Sequence, residues 1–320
     1  MNNLAYQTFL TEVQKAFSKK SIMIDTLADI LRIEKGAVYR RIRQEVPFTF
    51  NEITVIAKYL GFSLDSIIGI EGGTKSVPFQ LRLPDFISPE EVDYYILKAY
   101  IEFLQSLNQS ESSEAAVVSN MLPHDLFGGY NHLLLFYLFI WNYVYTDNKM
   151  MSFHHISSTP EMIGLLNEFM MESKKFGKTS YIFDNKAFRI FVDRVNYFHA
   201  IRAIEKKDVS IIKEELLSLL DYLEDMAITG QFKETGKAVN LYIADIDISA
   251  CYSYMETPNT HFSLMKAFLL SYVTSFDEDT FQRMKNCIQS LIKISTLITL
   301  TNEKQRVLYF EKQRKIVNEL

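Results

Sequence analysis

The sequence predicts a mainly α-helical protein. Residues 1–70 form a five-helix domain, 71–87 a linker, and 88–320 a larger, mostly helical domain with one small antiparallel hairpin or meander near 239–268. Three observations carry this. Apolar residues recur at three- and four-residue spacing through most of the chain. Caps, glycines and prolines cut the first seventy residues into short helices. The run EGGTKSVP at 71–78 joins flexible glycine to helix-resistant proline, which is linker composition.

Residues 4–17 read as a first helix, with Leu4, Phe9, Val13, Ala16 and Phe17 on one stripe. Residues 22–31 read as a second, carrying Met23, Leu27, Ile30 and Leu31 at helical spacing. After a break at Arg32-Ile33, a third runs from 35 to 44 and stops before Pro47. Thr49 and Glu52 stand at capping-box spacing and open a fourth, buried through Ile53, Ile56, Ala57 and Leu60. Gly61 ends it, Ser63 caps a fifth through Ile68, and Gly69 closes that.

Beyond the linker, Ser88-Pro89-Glu90-Glu91 is a strong helix start, with a cap, a first-turn proline and acids at the positive end of the helix dipole. Helices are expected near 89–107, 129–145, 160–175, 186–206, 209–227, 278–297 and 302–318. Between 239 and 268 the period falls to two. Val239, Leu241 and Ile243 alternate, as do Ala250, Tyr252 and Tyr254, and Thr257-Pro258-Asn259-Thr260 supplies a turn.

Composition limits the function. The 320 residues are 48% hydrophobic and 13% aromatic, ample for packed cores and far from disorder. The two cysteines, Cys251 and Cys287, are too few for a disulfide framework or metal cluster and read as small core residues. The most apolar run, at 133–145, is shorter than the roughly 20 residues of a membrane span. With no signal-peptide pattern at the start, the expectation is a cytoplasmic protein without a membrane partner. The net charge of −5 is unevenly spread. Residues 1–70 hold nine Lys/Arg against seven Asp/Glu, a balance of +2, which leaves the remainder at −7. Lys35, Arg40, Arg41 and Arg43 fall within nine residues, with no acid among them.

That basic helix carries the functional expectation. Val38 and Ile42, four apart, face the core. Gly36, Tyr39, Arg40 and Arg43 then point away from it, with Lys35 beside them. A helix held proud of a small domain fits the roughly 12 Å major groove of DNA. Gly36 allows close backbone approach, Arg40 offers a bidentate donor to guanine, and Arg41 and Arg43 suit phosphates.

Leu27-Ala28, Ile33-Glu34, Val38-Tyr39-Arg40-Arg41, Pro47, Ile53 and Ala57 resemble the lambda-repressor/Cro type of helix-turn-helix regulator. So does the closing Leu60-Gly61-Phe62-Ser63-Leu64-Asp65. The resemblance covers less than a quarter of the chain. It implies a five-helix DNA-binding domain that presents Lys35, Gly36, Tyr39 and Arg40 to bases. The family often has glycine in the turn, where this chain has Arg32, and glutamine early in the second helix, where it has Ile24.

The whole reads as a sequence-specific transcription regulator, a homodimer on duplex DNA, whose large domain dimerises it, senses an effector, or both. The alternatives are an antitoxin-like or phage-type repressor holding a protein partner, and an enzyme tethered to a DNA-binding domain. No catalytic residue, metal or cofactor is implied. Gly72-Gly73 and Gly128-Gly129 are bare pairs rather than phosphate loops. His154-His155 diverge in regular structure, and His132 and His199 suit a helical core. Asp245 and Asp247 would share a strand face, but read more readily as turn or edge residues. Phe136, Tyr137, Trp141 and Tyr145 read first as core and second as the lining of a pocket for a small-molecule or peptide effector. The C-terminal helix, with Val307, Leu308, Phe310, Ile316 and Val317, is either a dimer helix or the last helix of the fold.

Overall fold

In the computed structural model the chain divides into two compact units, Met1–Gln80 and Leu81–Leu320. The structure describes residues 4–17, 19–60, 64, 88–107, 110–145, 152–268 and 271–320. The expected fifth helix and the 71–87 linker lie outside the described residues.

In the first unit, α1 (Leu4–Lys15), α2 (Lys20–Leu31), α3 (Lys35–Ile42) and α4 (Phe50–Leu60) enclose one small core. Phe9, Leu10 and Val13 of α1 meet Met23, Ile24 and Leu27 of α2, Val38 and Ile42 of α3, and Ile56 of α4. Phe48 is driven edge-on into Phe9 at 5.8 Å, and its backbone N–H donates to the Tyr6 hydroxyl at 2.8 Å. The α4 start is a reciprocal cap. Glu52 accepts from the Thr49 N–H at 2.8 Å, and Thr49 Oγ1 accepts from the Glu52 N–H at 3.3 Å.

The turn between α2 and α3 explains the unusual Arg32. That residue is left-handed, φ 54° and ψ 44°, and its N–H reaches back to the carbonyls of Ala28 and Asp29. Ile33 N–H also returns to Ala28 at 3.1 Å, so the freed carbonyls at the end of α2 are satisfied. Glycine adopts this conformation freely, whereas a side chain makes it cost about 1–2 kcal/mol. Arg32→Gly relieves that strain but loosens the unfolded chain. The expected net gain is about 0.5–1 kcal/mol, read as a higher urea midpoint at unchanged slope. A loss of stability would show that the arginine side chain itself holds the turn.

The second unit is an α/β fold. This overturns the expectation of a mainly α protein with a small hairpin, and with it the all-α assignment. Its sheet has seven strands: β1 (Glu114–Ser119), β2 (Lys178–Asp184), β3 (Ala238–Ala244), β4 (Tyr252–Glu256), β5 (His261–Phe268), β6 (Ser271–Ser275) and β7 (Ser295–Leu297). Their order is β6-β5-β4-β1-β2-β3-β7. The central β1, β2 and β3 run parallel and the flanking pairs antiparallel. The helices are α5 (Glu91–Ser106), α6 (Asn131–Tyr145), α7 (Pro160–Ser173), α8 (Ala187–Ala200), α9 (Lys206–Thr229), α10 (Glu278–Lys293) and α11 (Glu303–Val317). Thus α6 and α7 cross from β1 to β2, and α8 and α9 from β2 to β3, as parallel neighbours require.

Both sheet faces are covered. Tyr181, Phe183, Val239, Leu241 and Ile243 pack into the core shared with α6, α8, α9 and α11. Ala116, Val118, Ile182 and Tyr254 meet Phe281, Ile288 and Leu291 of α10 on the other face. Strands buried on two sides carry no apolar–polar alternation, which is why EAAVVS and KTSYIFD gave no strand signal. The period-two stretch at 239–268 is strand, and β4 and β5 do pair antiparallel around the Thr257–Thr260 turn. Yet β3 leaves that hairpin to lie between β2 and β7. The helix expected over 278–297 stops at Lys293, and its last residues become β7.

The C-terminal helix belongs to the fold. Phe310, Ile316 and Val317 are buried, and Arg314 bridges Asp221 at 2.7 Å and Glu224 at 2.6 Å on α9. Val307 and Leu308 stay exposed. Among the described residues no helix is long and apolar enough to cross a membrane.

Candidate nucleic-acid interface

Helix α3 is anchored on one side and bare on the other. Val38 is fully buried and Ile42 nearly so, and they fix its rotation. At about 100° per residue, Arg40 stands about 180° from the middle of that buried stripe. Gly36, Tyr39, Arg40 and Arg43 are all exposed, and Lys35 joins them at the first turn. A Cβ added to Gly36 would meet no atom within 4 Å, so the helix surface there is open.

The charges differ in what already holds them. Lys35 Nζ lies 2.7 Å from Asp25, whose hydrogen bond and charge raise the ammonium above its usual range. Arg43 sits 3.9 Å from Glu45. Both pairs are more than half exposed and screened by solvent, so a phosphate can displace them. Tyr39 receives Lys20 over its ring at 5.5 Å. Arg40 has no acidic partner among the described residues, and its carbonyl accepts from the Glu45 N–H at 2.9 Å. Its guanidinium therefore gives up no ion pair with a described residue on meeting a new acceptor.

Arg41 has a different role from the one its sequence position implied. Its Nε donates to Glu52 at 3.0 Å and its Nη2 lies 2.8 Å from the other carboxylate oxygen, a two-point clamp between α3 and the start of α4. Both side chains are less than one-fifth exposed, and Phe48 lies 6.0 Å from the guanidinium carbon. Burial works against the Glu52 carboxylate, but Arg41 and Thr49 outweigh it and hold the group below its usual range. Arg41 thus positions the helix rather than facing a phosphate. The helical wheel does not separate Arg41 from Tyr39, since each lies about 80° from the centre of the Val38–Ile42 stripe; the partner on α4 decides it.

In the second unit, Phe136 and Tyr137 of α6 are buried in the aromatic core, and Trp141 is buried as well. Phe136 packs with Phe191 at 5.2 Å and Phe198 at 6.1 Å, and the Tyr137 hydroxyl donates to the Leu122 carbonyl at 2.8 Å. The side chain of Tyr145 lies outside the described residues. A cavity of about 180 Å³ lies elsewhere, against Leu126, Gly128, Tyr130, Lys174, Tyr222 and Glu234. Lys174, 2% exposed, is paired there with Glu234 at 2.6 Å.

The remaining sequence candidates do not converge. Asp247 pairs with Lys186 at 2.6 Å, and Asp245 accepts from Thr296 at 3.4 Å. His154 and His155 are exposed, His132 leans on Glu215 at 3.5 Å, and His199 reaches the Ile204 carbonyl at 3.1 Å. Cys287 is exposed and Cys251 half-buried, so neither is the core residue expected. Among the described residues, no three His, Cys, Asp or Glu side chains are grouped to hold a metal. Comparison with family models, with curated proteins and with solved structures gave no match.

Proposed function

We propose that this protein is a sequence-specific duplex-DNA-binding regulator that inserts α3 into the major groove. The observation that supports this is the division of labour on α3. Val38, Ile42 and Arg41 lock it down, while Gly36, Tyr39, Arg40 and Arg43 share the opposite, exposed side with Lys35. Arg40 reads a base, and Lys35 and Arg43 exchange their weak surface pairs for phosphates. The second unit, acidic in balance, stays off the polyanion, and we assign it dimerisation and effector sensing.

The test begins with selection of bound sequences from random duplex DNA, then titration of a selected site at several salt concentrations. Arg40→Ala is expected to cost about 1–3 kcal/mol and to relax preference at one base position. Arg43→Ala should instead weaken binding on all sequences and reduce the salt slope by about one charge. Gly36→Ala, with room for its methyl group, should keep the fold while hindering close approach. Unchanged affinity and slope in the two arginine variants would remove α3 from the interface.

A further inference from the structure

One wall of the cavity in the second unit is a charged pair that stability alone does not explain. Lys174, directly after α7, is 2% exposed, and its ammonium donates to Glu234 Oε1 at 2.6 Å and to the Tyr222 hydroxyl of α9 at 3.3 Å. The Tyr222 hydroxyl in turn donates to Glu234 Oε2 at 3.0 Å. Glu234 and Lys233 sit on the turn between α9 and β3, which is pinned twice more. Phe232 is fully buried, and Thr235 Oγ1 donates to the Lys174 carbonyl at 2.9 Å. A buried ion pair adds little stability over an apolar pair of the same volume. What this one does is fix a carboxylate, itself 30% exposed, at the cavity wall. Burial works against that carboxylate, but Lys174 and Tyr222 outweigh it and hold it below its usual range. A carboxylate offers about four acceptor positions. Lys174, Tyr222 and the residue's own N–H take three, which leaves one for a donor in the cavity. The other walls are Leu126, Gly128 and Tyr130. Lys233 also lines the cavity, is exposed, and forms no ion pair with a described residue.

We infer that this cavity binds a small hydroxylated aromatic carboxylate, with its ring against Leu126, Tyr130 and Tyr222, its carboxylate on Lys233 and its hydroxyl donating to Glu234. Size, charge and hydrogen bonding each select this class. A cavity of about 150 Å³ is enough for a benzene ring, so the cavity of about 180 Å³ holds a ring with one short substituent reaching Lys233. Lys174 and Glu234 neutralise each other, so the lining keeps the single charge of Lys233, which matches a monoanion. An amino acid fits less well, because its ammonium is a third cation beside one carboxylate. Inorganic phosphate leaves the two tyrosine rings and Leu126 without contact, whereas an aromatic ring packs on them. This gives a ligand class to the effector sensing proposed for the second unit and rests on that reading for its role, but binding at the cavity does not involve α3.

The test is calorimetric titration of the full chain, without DNA, by para-hydroxybenzoate, benzoate and para-hydroxybenzamide. The first should bind one-to-one and saturably. Benzoate, which has no donor for Glu234, should bind about tenfold more weakly. The amide, which has no charge for Lys233, should bind about fivefold more weakly. Lys233→Met touches no described partner, so the fold should persist at an unchanged melting temperature. It should weaken the acid by the same fivefold and leave the amide unchanged, and Lys233→Arg should keep the wild-type affinity for the acid. The double variant Lys174→Met/Glu234→Leu removes both buried charges together, which keeps the cavity wall without stranding either one. It should bind benzoate and para-hydroxybenzoate equally. No saturable binding of para-hydroxybenzoate at millimolar concentration would overturn the proposal and leave DNA binding by α3 standing. A Lys233→Met effect equal for acid and amide, or a hydroxyl preference that survives in the double variant, would overturn it as well.

Discussion

Deleting residues 81–320 is expected to lower affinity for a palindromic duplex by about 10²–10⁴, while changing affinity for an isolated half-site little. A homodimer presents two copies of α3 to half-sites roughly 34–36 Å apart, one helical turn of DNA. Once one half-site is bound, the second contact is effectively intramolecular. The second unit is three times as long and leaves Leu300, Val307 and Leu308 exposed near its last helix. Light scattering on the full chain and on residues 1–80, with both titrated on palindrome and half-site, decides the matter. A monomeric full chain, or a fragment that binds the palindrome as tightly as the whole, would refute the dimer.

Glu52→Ala is expected to destabilise the first unit by about 2–4 kcal/mol, a large part of what so small a domain has. The substitution removes the α4 cap and strands the Arg41 guanidinium in a site less than one-fifth exposed. Glu52→Gln keeps the reciprocal cap but loses the charge, and should cost less. The pH dependence follows from the lowered Glu52 group. Its contribution is complete above the ordinary carboxylate value of about 4.3 and disappears as pH falls through the lower folded value. The gap between wild type and Glu52→Gln should therefore be constant from neutral pH to about 5 and narrow progressively as pH falls below the ordinary carboxylate value. Urea melts of residues 1–80 from neutral to acid pH give the answer, and a gap that does not narrow at all on acidification would mean the clamp is not ionic. Arg41→Ala should weaken DNA binding through this loss of fold, so cooling restores its affinity, whereas Arg40→Ala keeps its deficit.

How much was legible depended on how far apart the deciding residues lie. The four described helices of the first unit, the Thr49–Glu52 cap and the inward pair Val38–Ile42 are all set within a few residues. The chain alone determined them through helical spacing and hydrogen bonds a turn apart. The same held for the helices of the second unit, most of which begin within a few residues of their expected starts. The Thr159 cap before Pro160 is one local cause.

What only the tertiary structure decided is everything carried by distant pairs. Arg41 faces Glu52 because α3 and α4 pack together, so a residue that read as a phosphate ligand became a clamp. Strands β1 and β2 lie about sixty residues apart in sequence and become strands by pairing with each other, with helices on both faces. Burial on both sides erases the period-two pattern that marks a half-exposed strand, so their sequences carried only hydrophobicity. Local order follows from side chains within one turn, whereas a sheet, a clamp or a site between elements follows from which surfaces meet.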